Sequence, residues 1–145
     1  MIHTAATVII HRPIGEVFRF AAVPSAFALW VPGAQINVLT PGPFGDGTRF
    51  EETLMRFGRA MISTVQVTNY QVNEGFDFQT ITAPFPVLAS LGSLRFVATA
   101  DGTQVTLAHR VRIVPWLRPL EPLLRRVSQA QSQRAVEAMK TLVER

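Results

Sequence analysis

With 145 residues, 16.0 kDa and 48% hydrophobic side chains, the chain has the length of one domain, 1–145, and enough apolar residues to build a core and line a cavity as well. It contains no Cys, which excludes disulfides, thiolate metal sites and thiol nucleophiles. The net charge of +4 comes from 14 basic and 10 acidic residues, and the Arg residues are scattered with one adjacent pair, Arg125-Arg126, a mild bias rather than a nucleic-acid footprint.

The first ten residues lack a charged leader and a long apolar run, and Arg12-Pro13 ends the apolar stretch early, so no signal peptide is expected. No window approaches the ~18 apolar residues of a membrane span, and the expectation is a soluble, cytoplasmic protein. Residues 3–10, rich in Thr, Val and Ile, predict a strand. Pro13 suits the first turn of a short helix carrying Glu16, Val17, Phe18 and Phe20, and Pro24-Ser25 starts a second that ends before Pro32-Gly33.

From there to residue 113, short runs of Val, Thr, Ile and Phe alternate with turn chemistry at 41–47, Gly58, 73–75, 83–86 and Asp101-Gly102. The pattern predicts an antiparallel meander with strands near 35–40, 48–56, 60–70, 76–82, 91–100 and 103–113. After Pro122 there is no Pro or Gly, and Ala, Leu, Gln, Glu and Arg dominate, so 120–144 predicts one helix of about 35 Å. A seven-stranded sheet that covers one helix must curl around it, and the α+β cup so formed is where an apolar pocket is expected.

The run Val8-Ile9-Ile10-His11-Arg12-Pro13-Ile14-Gly15-Glu16-Val17-Phe18, then Trp30, Gly45-Asp46-Gly47-Thr48, Asp101-Gly102-Thr103-Gln104-Val105-Thr106 and the ending Ala138-Met139-Lys140-Thr141-Leu142-Val143-Glu144 resemble the polyketide cyclase/dehydrase and lipid-transport group of the START-like (SRPBCC) superfamily. The resemblance spans essentially the whole chain. It implies a helix-grip fold: a curved seven-stranded antiparallel sheet around a long C-terminal helix, two short helices after strand 1, and a cavity for a hydrophobic small molecule. Its motifs are structural, so it implies no particular reaction.

Strand parity assigns the faces. His109 shares a face with Val105, Leu107, Val111 and Ile113, and Glu52 with Phe50 and Leu54. The lining is expected to continue through Met61, Ser63, Val65 and Val67, then Phe76, Phe78 and Thr80, then Leu94, Phe96 and Ala98. On the last helix, Leu120, Leu124, Val127, Gln131, Ala135, Ala138, Met139 and Leu142 recur at helical spacing, while the middle, 128–132, is small and polar. That middle either lines a pocket or, for Gln129 and Ser132 equally, faces solvent.

His109 and Glu52 are the inward ionisable groups that parity supplies, and three roles stay open for them: acid/base chemistry, ligand orientation, or a purely structural hydrogen bond. The ligand-contact set expected is Trp30, Phe50, Leu54, Ser63, Val65, Phe76, Phe78, Phe96, Leu107, His109, Gln131 and Ala135. Phe44 and Phe85, each on a Pro- or Gly-rich loop, are either gates or plugs of the core edge. The three His residues include no metal-binding pair, no serine-hydrolase elbow or phosphate loop occurs, and neither metal nor other cofactor is expected.

The function expected is sequestration of a lipid, isoprenoid, polyketide or aromatic compound. One alternative is a cofactor-free cyclase or dehydratase using His109 and Glu52, and another is a protein-interaction module. Arg110, Arg112, Arg118, Arg125 and Arg126 form either a solvated face or a peripheral patch for a membrane or an acidic partner. The chain is expected to be a monomer or a homodimer.

Overall fold

A computed structural model describes every residue except Phe57. Strand β1 (Ile2–Ile10) is followed by helices α1 (Ile14–Ala21) and α2 (Pro24–Trp30). Strands β2 (Gln35–Val38), β3 (Arg49–Arg56), β4 (Arg59–Gln71), β5 (Gly75–Thr82), β6 (Val87–Thr99) and β7 (Gly102–Ile113) come next. A 3-10 segment, Pro115–Leu120, then leads into α3 (Glu121–Val143).

Both short helices begin as their prolines dictate. Pro13 takes an extended N-cap conformation before α1, and Pro24 occupies the first turn of α2, where its missing N–H costs no hydrogen bond. Each buries a one-turn stripe, Val17, Phe18 and Ala21 in α1 and Ala26, Phe27 and Trp30 in α2. The spacing i, i+1, i+4 places each trio on one face.

The strands form one antiparallel sheet in the order β1-β7-β6-β5-β4-β3-β2, so β1 and β2 are its open edges. Register shifts at Thr64/Val65, Thr68/Gln71 and Val87/Ala89 bend the long strands. Asn69, at the second shift, adopts a left-handed φ of 52° and donates from Nδ2 to Asp77 Oδ2 at 2.7 Å. These bends curl the sheet into a cup around α3, the helix-grip arrangement.

Helix α3 lies against the β1 edge and satisfies its unpaired backbone. The Ala5 N–H donates to Gln129 Oε1 at 3.1 Å, and Gln129 Nε2 donates back to the Ala5 carbonyl at 2.5 Å. At the far end, Lys140 Nζ donates to the Ile9 carbonyl at 2.6 Å and Glu144 accepts from the His11 N–H at 2.9 Å. The helix face toward the sheet is Ser132, Ala135, Val136, Met139 and Val143, with Ala138 and Leu142 at its margin. Burial of Val136 and Met139 alone contributes about 1.5–3 kcal/mol each.

Four sequence expectations need correction. Leu120 and Val127 point to solvent, because the hydrogen bonds of Gln129 and Lys140 to β1 rotate the helix so that Ser132 and Val136 face the cup. The helix starts at Glu121, since Pro115 and Pro119 keep the preceding segment in 3-10 geometry. Strand β6 begins at Val87, four residues before the expected start, paired with Ile113. Ala98 is exposed, lying where β6 leaves the cup for the turn at 100–101.

Candidate functional site

Between α3 and the concave face lies a cavity of about 280 Å³, near the lower end of the ~300–1,000 Å³ typical of small-molecule sites. Phe27 and Trp30 of α2 and Val31 just after it close one side, and Phe50, Glu52, Leu54, Met61, Ser63 and Val65 come from β3 and β4. Phe78 and Thr80 on β5, Val87 and Ser90 on β6, and Leu107, His109 and Val111 on β7 continue the wall. Ser128, Gln131, Ser132 and Ala135 of α3 complete it, and Ala83 and Pro84 stand at one end.

Of the residues expected to contact a ligand, the cavity brings together Trp30, Phe50, Leu54, Ser63, Val65, Phe78, Leu107, His109, Gln131 and Ala135, with Glu52 beside them. Phe76 and Phe96 are not among its walls. Parity turns them inward as expected, but α1 and α2 fold over that half of the cup and fill it. There Phe76 packs 5.1 Å from Phe44 and 6.4 Å from Phe18, and Phe96 lies 5.3 Å from Phe18, centroid to centroid. Phe44 is thus a plug, held also by Phe27 and Tyr70. Phe85 instead is exposed and lies against Trp116.

The polar groups fall on two walls. Glu52 and Ser63 are register partners on β3 and β4, and Glu52 is partly buried. On the other wall His109 sits with its ring 5.6 Å from that of Phe78, edge to face, and its Nδ1 3.5 Å from Ser132 Oγ. Burial pushes the His109 imidazole down to about 4, so at neutral pH it is uncharged, with one nitrogen to donate and one to accept.

Trp30 carries one more polar group. Its side chain is buried, with the ring 5.4 Å from Phe27, and its Nε1 has no hydrogen-bond partner among the described residues. A buried indole N–H left unsatisfied costs about 1–3 kcal/mol. Among the described residues no group of three His, Asp or Glu side chains could hold a metal ion.

Sequence reasoning missed Val31, Ala83, Pro84, Val87, Ser90 and the role of Gly92. Had β6 been extended back to residue 87, Ser90 would have shared parity with Leu94. Gly92 lies between Phe78 and His109 in the sheet register, and a Cβ there would come 1.9 Å from Phe78 Cε2. Its bare backbone is what lets the Phe78 ring lie down beside His109. No periodicity signals such a glycine.

The sequence matches the family described as polyketide cyclase/dehydrase and lipid transport over residues 1–144. No curated protein matches it. Among solved structures, TTHA0849 from Thermus thermophilus superposes with a TM-score of 0.84 at 16% identity, over 97% of this chain and 96% of that one. The Zhui aromatase/cyclase from Streptomyces gives 0.82 at 19% identity, over 99% and 93% of the two chains. A START superfamily protein from Mycobacterium smegmatis gives 0.80 at 12%, over 98% and 97%. At these identities the likeness is one of fold.

Proposed function

The chain belongs to the polyketide cyclase/dehydrase and lipid-transport family, and from that premise we propose that it binds a compact hydrophobic small molecule carrying hydroxyl or carbonyl oxygens between its sheet and α3. Lipid, isoprenoid, polyketide and aromatic compounds are the candidate classes, and the volume favours the smaller of them. The observation that carries this reading is the largely apolar cavity wall, in which Phe27, Phe50 and Phe78 stand beside Trp30, whose buried N–H has no partner among the described residues. An oxygen on an apolar ligand supplies the missing acceptor, while burial of its carbon surface contributes about 25 cal/mol per Å². Native mass spectrometry of gently purified protein tests this. A stoichiometric adduct lost on denaturation, identified as a hydrophobic oxygenated compound, is the expected result, and a hydrophilic or charged metabolite in its place contradicts it.

One observation favours a second reading, a cofactor-free cyclase or dehydratase: His109 and Glu52 line the same cavity. Such chemistry would take a proton from carbon beside a carbonyl and return one to a departing hydroxyl. The low pKa of His109 makes it a weak base at pH 7 and suits it better to donating or accepting one hydrogen bond. Loss of turnover with retained binding in His109→Gln and Glu52→Gln would decide for the enzyme.

A further inference from the structure

One end of the cup carries a surface that ligand binding does not require. Ala83 and Pro84 line the cavity, but the next residue, Phe85, is 61% exposed and lies 5.7 Å from Trp116, itself 67% exposed. The Val114 N–H donates to the Pro86 carbonyl at 3.0 Å, which ties the 3-10 segment to this loop. One turn further on, Leu120 at the end of the 3-10 segment and Leu123 in the first turn of α3 are exposed, and the helix leads on to Ser128 in the cavity wall. An exposed aromatic pair therefore stands beside the Ala83-Pro84 end of the cavity, with exposed leucines following it in the chain, where a water-facing surface would ordinarily be polar.

The charges of the same segment have one sign. Residues 115–127 hold Arg118, Arg125 and Arg126, all exposed, against a single acid, Glu121. Its carboxylate is occupied by the Met1 amino group at 3.1 Å. An isologous contact built on this segment would bring six arginines into one interface with no free acid from the segment to pair them. Exposed Trp and Phe flanked by Arg match a surface that is apolar beneath an anionic layer.

We propose that this surface, made of Phe85, Trp116, Leu123 and the three arginines, docks on an anionic lipid bilayer, so that the cavity end at Ala83 and Pro84 faces the membrane. The apolar side chains enter the headgroup boundary and the guanidinium groups meet lipid phosphates. No helix among the described residues is long and apolar enough to cross a bilayer, and the docking is peripheral.

The test is co-sedimentation of the full chain with phosphatidylcholine vesicles, with and without about one-third phosphatidylglycerol, at about 0.05 and about 0.5 M salt. Binding to the anionic vesicles at low salt, much weaker binding to phosphatidylcholine alone, and a blue shift of tryptophan emission that disappears in Trp116→Ser are expected. The triple variant Arg118→Gln, Arg125→Gln, Arg126→Gln should partition about a hundredfold less, each arginine near the surface contributing about fivefold. Phe85→Ser with Leu123→Ser should remove the binding that survives high salt. Failure of the unmodified chain to sediment with anionic vesicles at low salt overturns the proposal without any variant. So does equal binding to both vesicle types, or a concentration-dependent dimer abolished by the same substitutions in a chain that ignores vesicles.

Discussion

Ser132 on α3 holds its hydroxyl 3.5 Å from Nδ1 of His109 on β7, so helix and sheet meet at the cavity through two polar side chains. Each is placed by apolar neighbours: Ser132 lies one turn before the buried Ala135 and Val136, and His109 between Leu107 and Val111 on its strand face. A polar contact in such a setting is kept only when its members stay neutral and face one another or a ligand.

The first consequence is a pH dependence of stability. Because the folded His109 titrates near 4 and the unfolded one near 6.5, the unfolded chain binds the extra proton between these values. Stability from this group is complete above pH 6.5 and is lost as pH falls toward 4, by roughly 3 kcal/mol in total. Urea unfolding at pH 7 and pH 5 should show the decline, and His109→Gln should flatten it. A His109→Gln profile as steep as that of the unmodified protein would place the effect elsewhere.

Gly92 provides a steric test. Gly92→Ala drives a methyl group into Phe78, and the ring must swing away from β6. The expected cost is about 1–3 kcal/mol, with loss of affinity for 1-naphthol measured by calorimetry. Gly45→Ala meets nothing within 4 Å and serves as the control.

Trp30→Phe separates shape from hydrogen bonding. It keeps a ring against Phe27 and removes the orphaned donor. Thermal stability should change little, within about 1 kcal/mol, whereas 1-naphthol should bind about tenfold more weakly and naphthalene equally well. Equal loss for both probes would show that the indole acts by packing alone.

Gln129 closes the β1 edge through the Ala5 backbone. Gln129→Leu should cost about 0.5–1.5 kcal/mol, because both exposed backbone groups exchange their side-chain partner for water, and should speed hydrogen exchange of the Ala5 amide. Unchanged exchange would mean that the strand edge is protected some other way.

The architecture was legible because every element has a local cause: Pro13 and Pro24 start helices, Asp101-Gly102 turns a hairpin, and the tail after Pro122 has no breaker. Strand parity turned His109 and Glu52 toward the same space, where the cavity contains both. It failed to separate cavity from filled core at Phe76 and Phe96, since both environments take the same inward face and only the docking of α1 and α2 distinguishes them. The rotation of α3 was equally hidden. Leu120 and Val127 fit a helical stripe, but the hydrogen bonds of Gln129 and Lys140 to β1 decide which stripe is buried.

Calorimetric titration of 1-naphthol into the unmodified protein and into Ala135→Phe tests the binding reading most directly. Ala135 is buried in the cavity wall, and a benzyl group there occupies the space a ligand would take. One binding site in the unmodified protein, lost in a variant that still unfolds cooperatively, is expected. Binding unchanged by the filling substitution would place the ligand outside the cavity and contradict the central claim.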